Sequence, residues 1–340
     1  MTGYHLTSVT RITDLAARTF EVRPVPRARW REGDYVVGEV SDAVVLPDEI
    51  EVPSGRLVEV VAGDLVVGAL GNRAATLQTV GSWREIGDDL AMDALSIAGV
   101  IGRCTSASLF ARRPTPLRYC GHVHVDDRPL AMSDHLPAPS GVTFDVPTVL
   151  IVGTSMDSGK TVAAKKAVRR LKDRGLRVAA AKLTGVGRFR DVLAMGDAGA
   201  DWIFDFVDVG LPSTVVPREE FTERLRLLLG LIAAHHPDVL VAEAGASPLE
   251  PYNGDVAVGE LAAHVRCTVL CANDPYAVVG VMSAFGSTPD LVSGRATATS
   301  AGVELIEKLT GVPTLNLLDP RSRPELARIL DERLGLSGRG

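Results

Sequence analysis

The residues best suited to chemistry lie together at Gly153-Thr-Ser-Met-Asp-Ser-Gly159-Lys160-Thr161. Phosphate binding asks for this combination. Small residues let backbone N–H groups converge on anionic oxygens, a lysine brings a positive charge to the outer phosphates, and a hydroxyl can ligate Mg²⁺. The segment departs from G-x-x-x-x-G-K-[ST] at one point: Thr154 occupies the first glycine slot and Gly153 sits one residue earlier. The expected cradle therefore runs through Gly153, Thr154, Ser155, Met156, Asp157, Ser158, Gly159, Lys160, Thr161 and Val162. A chance Gly-Lys-Thr at a helix start is the bland alternative, and the apolar strand that precedes the loop argues against it.

Other candidates follow strands. Asp238-Val-Leu-Val-Ala-Glu243 is an apolar run ending in a carboxylate, and ligands of open parallel sheets bind at the carboxyl ends of strands. Glu243, not Asp238, is thus the candidate for Mg²⁺ or its water. Ala244 through Ala246 are small enough for close backbone approach to a ligand. Val178-Ala-Ala-Ala-Lys182-Leu-Thr184-Gly185 ends a second run with a lysine and a glycine turn. Lys182, Thr184, Gly185, Arg188 and Ser247 are expected to hold an anionic substrate, with Lys182 also stabilising a transferring phosphoryl group. A solvated loop explains Arg188 and Arg190 equally well. Of the carboxylates Asp191, Asp197, Asp201, Asp205 and Asp208, Asp197 and Asp201 lie at i and i+4, one face if helical; Asp197 is the candidate second metal ligand, and a solvated face explains the pair equally well. Asn273, at the end of Thr268–Ala272, suits recognition of a base or amide, although Asn-Asp-Pro is also turn chemistry. His122 and His124 share a strand face, but no third metal ligand accompanies them.

The elements that must position these residues change character near residue 145. Residues 1–140 carry short β-like runs at Tyr35–Val40, Leu57–Val61, Leu65–Leu70, Ala75–Val80, Tyr119–Val125 and Arg128–Met132. Turns are expected at Ala62-Gly63-Asp64 and Asp126-Asp127, and one helix over Asp88–Val100. A β-rich domain, either a small barrel or a sandwich, is the expectation, with a substrate or oligomerisation role. Leu136-Pro-Ala-Pro-Ser-Gly141 reads as a linker. Residues 146–335 alternate strands (Val149–Val152, Val178–Ala181, Val239–Ala242, Thr268–Ala272, Thr314–Leu317) with helices (Gly159–Arg174, Glu219–His235, Ala301–Leu309, Arg323–Leu334). The fold class is α/β, and this half is a doubly wound, mostly parallel P-loop sheet.

Composition narrows the partners. Lys plus Arg total 36 against 42 Asp plus Glu, a net charge of −6, so no basic footprint for nucleic acid or an anionic membrane is present. The longest apolar run, Leu227–Ala234, is far short of a membrane span, and the first residues lack a signal-peptide core. Cys104, Cys120, Cys267 and Cys271 match no zinc or redox spacing. A cytoplasmic homo-oligomer acting on a small-molecule acidic substrate is expected, with no nucleic-acid or membrane partner.

The motifs resemble two families. Gly153-Thr-Ser-Met-Asp-Ser-Gly-Lys-Thr is similar to the dethiobiotin synthetase loop G-T-D-T-E-V-G-K-T, displaced glycine included. Lys182 with Thr184-Gly185 resembles that family's K-P-V-A-S-G, and Glu243-Ala-Gly-Ala its E-G-A-G. Ser155 replaces the loop aspartate. Glu243-Ala-Gly-Ala-Ser247-Pro-Leu-Glu-Pro251-Tyr252 also resembles the E-G-Q-x-S…P-x-Y run of the P-loop family that includes D-glutamate N-acetyltransferase. Both resemblances imply a P-loop sheet. The first implies an ATP- and Mg²⁺-dependent kinase or carboxylate-activating ligase, with Lys160, Lys182 and Glu243 catalytic and Thr161 and Glu243 on the metal. The second implies an N-acyltransferase whose loop holds the phosphates of acetyl-CoA. A nucleotide-dependent switch or chaperone is a third possibility.

Overall fold

The computed structural model describes residues 3–41, 48–245 and 247–336. It divides into two compact units by more than a single cut near residues 140–146. The first holds the residues up to Ala138 together with Gly185–Arg190 and Asp205–Leu228. The second holds Pro139–Thr184, Asp191–Phe204 and the residues from Leu229 onward.

The second unit is built on a six-stranded sheet among the described residues: β1 (Thr148–Gly153), β2 (Val178–Thr184), β3 (Trp202–Asp205), β4 (Val239–Ala244), β5 (Val265–Cys271) and β6 (Leu291–Ser293), in the order β3-β2-β4-β1-β5-β6. β1 pairs in parallel with β4 and β5, β2 with β4, and β6 with β5. Every residue of β1, β2 and β4 is buried, which is why these strands read as unbroken apolar runs. β1 is central. The chain leaves it towards β2 on one side, whereas β4 leads to β5 on the other. That reversal opens a crevice at the carboxyl ends of β1 and β4.

Seven α-helices are described: α1 (Lys160–Asp173), α2 (Phe189–Asp197), α3 (Arg218–Ala234), α4 (Gly254–Leu261), α5 (Pro275–Phe285), α6 (Ser300–Thr310) and α7 (Arg323–Arg333). α1 buries Ala163, Ala164, Ala167, Val168 and Leu171, and ends where Gly175 turns left-handed at φ 75°. The spacing anticipated α1, α3, α6 and α7 but not α2, α4 or α5. The expected strand Thr314–Leu317 reduces to one bridge, Thr314 to Val292.

In the first unit five strands close into a ring. Leu65–Leu70 pairs with Tyr35–Val40, then come Thr115–Val125, Ala91–Ala94 and Val100–Ala107, and the last returns to Leu65–Leu70 in parallel. Val36, Val40, Val66, Leu70, Met92, Ile101 and Leu117 form its core. The expected helix over Asp88–Val100 is instead a strand at Ala91–Ala94, flanked by left-handed Leu90 (φ 54°) and Gly99 (φ 92°), which a helix cannot contain. The run Ala75–Val80 breaks into a turn between Asn72–Ala74 and Thr79–Ser82. Asp126 and Asp127, both at positive φ, make the expected hairpin turn. Gly63 also turns, but its flanking strands take other partners: Leu57–Val60 pairs with Asp48–Glu51.

Two buried polar clusters complete this unit. His122 Nδ1 lies 2.6 Å from the Tyr119 hydroxyl and its Nε2 3.4 Å from Asp34, so this imidazole is part of the buried core. Fully buried Glu51 accepts hydrogen bonds from Ser8 Oγ (2.5 Å) and from the backbone N–H groups of Phe189 and Arg190 (2.8 Å each), capping the start of α2.

Candidate phosphate-binding site

The loop between β1 and α1 owes its shape to residues that permit close approach. A Cβ on Gly153 would come within 2.6 Å of Ser158 Oγ and 2.7 Å of Lys160 Nζ. A side chain at position 153 would have to displace Ser158 and Lys160, whose ends fold back over the strand end there. Thr154, in the usual glycine slot, has a separate task. Its N–H donates to Cys271 O (3.0 Å) and its hydroxyl accepts the Asn273 N–H (3.2 Å), tying the loop to β5. Gly159 takes φ 104° and lies 3.1 Å, at its notional Cβ, from Gly294. Gly294, at φ 101°, has the Ser158 carbonyl 2.3 Å from where a side chain would begin. Two glycines therefore let the loop rest directly on the backbone after β6. Asp157 adopts left-handed φ 58° at the exposed tip.

Lys160 is buried. Its Nζ donates to Ser155 O (2.7 Å) and lies 3.4 Å from Ser158 Oγ. Burial pushes its pKa down, partly offset by the negative charge of Glu243. Thr161 Oγ1 donates to Glu243 Oε2 at 3.2 Å. Glu243 is buried because β4 is the direct neighbour of β1. Burial first, then the charge of Asp191, raises its pKa, against the pull of Lys160 and Lys182. Register places Lys182 beside Glu243 on β2, and Lys182 Nζ holds Asp191 Oδ2 at 2.6 Å.

Asp191, rather than Asp197, is the carboxylate of this segment that lies beside Lys182. It occupies the first turn of α2 and joins the Lys182–Glu243 group. Asp197, the expected second ligand, is exposed at the far end of the same helix and is not brought there. Six residues of helix separate the two by about 9 Å of rise.

The other candidates are distributed as follows. Thr184 donates its hydroxyl to Gly245 O (3.1 Å), and a Cβ on Gly245 would meet the Thr184 carbonyl at 2.1 Å, so β2 and the end of β4 are clamped. Ser247 is buried. Its N–H donates to Glu250 Oε2 (2.8 Å), and its hydroxyl accepts the Leu249 N–H (3.2 Å). Asn273 Nδ2 donates to Ser155 Oγ at 2.6 Å, so this side chain braces the loop, while its buried Oδ1 has no hydrogen-bond partner among the described residues. Gly185 and Arg188 belong to the first unit, where the Gly185 N–H donates to Thr214 Oγ1. Of the small residues after Glu243, Ala246 lies outside the described residues. Val162 is partly exposed on α1.

Among the described residues no group of three His, Cys, Asp or Glu gathers as a resident metal centre. The oxygens present fit Mg²⁺ of the kind that arrives with phosphates. Such an ion uses one or two protein carboxylates and keeps several waters, with bonds of about 2.1 Å that set cis oxygens about 3.0 Å apart. Thr161 and Glu243, at 3.2 Å, match that spacing. The second unit is a largely parallel α/β sheet with a glycine-containing strand–loop–helix turn at its switch point.

No family model matches the chain, and no curated protein matches it. Among solved structures it is similar to an LAO/AO transport system kinase, at 18% identity and a TM-score of 0.39, covering 58% of this chain and 63% of that one. It is similar to chloroplast FtsY from Physcomitrella patens at 13% identity and a TM-score of 0.36, covering 58% and 70%. HypB from Helicobacter pylori in complex with nickel follows at 17% identity and a TM-score of 0.37, covering 56% and 88%. The chain spans less than two thirds of the length of the first of these. Among the described residues no helix is long and apolar enough to cross a membrane.

Proposed function

We propose that the chain binds a nucleoside triphosphate, ATP in the first instance, with Mg²⁺, and transfers its terminal phosphoryl group to a small acidic metabolite, as a kinase or a carboxylate-activating ligase does. The observation that carries this reading is the pairing of Thr161 Oγ1 with Glu243 Oε2 at 3.2 Å, beside buried Lys160 and at the mouth of the loop. Mg²⁺ would neutralise charge on the phosphates when bound. Thr161 and Glu243 would hold it, with Asp191 within the same charged group. Lys160 would release Ser155 O and turn its charge to the outer phosphates. Lys182, held ready by Asp191, would stabilise the oxygens of the transferring group, so the protein's contribution is positioning and fixed charge. Ser247 and Thr184 would border the acceptor.

One observation favours a second reading. Burial raises the Glu243 pKa, and a carboxylate of raised pKa suits a general base for an attacking amine in an acetyl-CoA-dependent N-acyltransferase. The readings separate in one experiment: thermal-shift and turnover assays with ATP, GTP and acetyl-CoA, each with Mg²⁺ and with EDTA. A ligand at 100 times its dissociation constant stabilises by about 2.7 kcal/mol. Stabilisation by ATP that needs Mg²⁺, with product formed from an acidic acceptor, supports the first reading. Acetyl transfer undiminished in EDTA sinks it and favours the second. Nucleotide binding with no transferred group in any acceptor screen returns the site to a nucleotide-dependent switch.

A further inference from the structure

Two side chains converge on Ser155. Lys160 Nζ donates to its carbonyl at 2.7 Å, and Asn273 Nδ2, from just beyond the carboxyl end of β5, donates to its hydroxyl at 2.6 Å. The Ser155 hydroxyl donates onward to Met156 O at 3.1 Å. The other end of the Asn273 amide, Oδ1, is buried with no hydrogen-bond partner among the described residues. Buried polar atoms are nearly always paired, so a bare one beside a candidate ligand site calls for a partner that arrives. Bracing alone does not call for this side chain, because the Asn273 backbone N–H already ties the loop through Thr154 Oγ1.

A hydroxyl can serve either end of an amide: it accepts from NH₂ and donates to C=O. A half-turn about the last side-chain bond of Asn273 therefore keeps the bond to Ser155 and exchanges the bare end, from a carbonyl to an NH₂. A carbonyl oxygen repels a phosphate oxygen, whereas an NH₂ donates to it. We infer that Asn273 makes this half-turn when a nucleoside triphosphate enters, placing Nδ2 on an oxygen of the outermost phosphate while the Ser155 hydroxyl reverses and donates to Oδ1. The inference rests on the reading of Gly153–Thr161 as a phosphate loop, and it assigns Asn273 to the phosphate rather than to a base. Position favours the outermost phosphate. The start of α1 at Lys160 and Thr161 draws in the inner phosphates. Ser155 lies five residues earlier, where the Lys160 ammonium rests. A phosphate that takes the lysine from Ser155 O comes to the residue that holds the amide. Asn273 thus reads whether the terminal phosphate is present.

The test is calorimetric binding of ATP and ADP, each with Mg²⁺, to the full chain. Asn273→Ala should weaken ATP about tenfold, the worth of one hydrogen bond to a charged group, and leave ADP within about twofold. Asn273→Asp keeps the shape and an acceptor for the Ser155 hydroxyl but replaces the NH₂ by a carboxylate oxygen. It should weaken ATP about a hundredfold or more, and ADP much less. Ser155→Ala removes the anchor but not the donor, and should cost ATP less than Asn273→Ala does. A mere brace would behave otherwise: ATP and ADP share the loop and would lose affinity together, and Asn273→Ala would match Ser155→Ala. That result overturns the inference and leaves the phosphate loop standing. A wild-type chain that binds neither nucleotide overturns the loop reading, and this one with it. Nitrogen-15 spectra give a readout independent of affinity. The Asn273 side-chain NH₂ signals, identified by their absence from Asn273→Ala, should shift with ATP and not with ADP, and equal shifts with both would sink the assignment.

Discussion

Each unit buries a cluster of charge, and the two clusters differ in what the charges hold. In the first unit Arg11 donates one guanidinium nitrogen to both Asp205 Oδ1 and Asp208 Oδ1, at 2.7 Å each, and stacks 4.5 Å over the Phe189 ring. Both carboxylates also close a turn. Asp205 accepts the Val207 N–H and Asp208 accepts the Asp205 N–H. In the second unit Lys160, Lys182, Asp191 and Glu243 stand at strand ends and helix starts; Lys182 pairs with Asp191, Lys160 bonds Ser155 O, and Glu243 accepts from Thr161. Buried charge that completes the backbone is architecture. Buried charge gathered at the carboxyl edge of a parallel sheet is poised for something that arrives.

That contrast makes the first cluster the more sensitive in stability and the second in function. Arg11→Met leaves buried Asp205 and half-buried Asp208 without their cation, and it should lower unfolding free energy by about 3 kcal/mol in urea titrations while nucleotide affinity of the folded fraction stays unchanged. A variant of wild-type stability would erase the distinction.

Glu243→Gln should act in the opposite way. Turnover should fall about 100- to 1,000-fold under saturating Mg²⁺ and nucleotide, as for loss of a group that fixes transition-state charge. Its stability should not fall. The usual pKa of a glutamate here is 4.5 and folding raises it, so the unfolded chain ionises first as pH climbs. Folding stability therefore declines above about pH 4.5 until the folded carboxyl has also ionised, and the glutamine variant should lack that decline. Equilibrium unfolding at a series of pH values reads it directly.

Lys160→Ala should weaken nucleotide binding about 10- to 100-fold by calorimetry, the worth of one charge-assisted bond to phosphate. The apo protein should be no less stable, because burial already disfavours the charged lysine. Unchanged affinity would remove the loop from consideration as a phosphate site.

Much of this site was legible in the sequence, and the part that was not has a physical cause. Gly153, Lys160, Thr161, Lys182 and Glu243 came from strand-end position and the loop pattern, which are local. Choosing between Asp191 and Asp197 required knowing where α2 starts. That start is set by Glu51, 138 residues before Phe189. No cap in the neighbouring sequence announces it. The strand at Ala91–Ala94 reads as helix in sequence because Leu90, Leu95 and Ile97 give its stretch an apolar side, while the left-handed turns at Leu90 and Gly99 leave little local trace. β3 and β6 were missed because four and three residues are too few to show a period.

The smallest effect expected is at Asp208. Burial, then the charge of Asp205, raises its pKa to about 6, though its side chain keeps 30% of its surface in water. Stability should decline modestly between about pH 4 and 6 as the unfolded carboxyl ionises first, and Asp208→Asn should flatten that interval alone. A steeper slope in the variant would mean that Asp208 is held by Arg11 more than it is opposed by Asp205.

The four cysteines give the chain its own labels. Cys267 and Cys271 lie buried on β5, and burial pushes both thiols up to about 12. Cys104 and Cys120, in the first unit, are partly exposed. A thiol reagent in excess should therefore modify the native protein in two waves, with the first unit marked while the sheet of the second stays closed. The slow wave then clocks the opening of β5, next to the strand that carries the loop. Any ligand that settles there will be felt as a delay in that clock, with no dye, tag or substitution required.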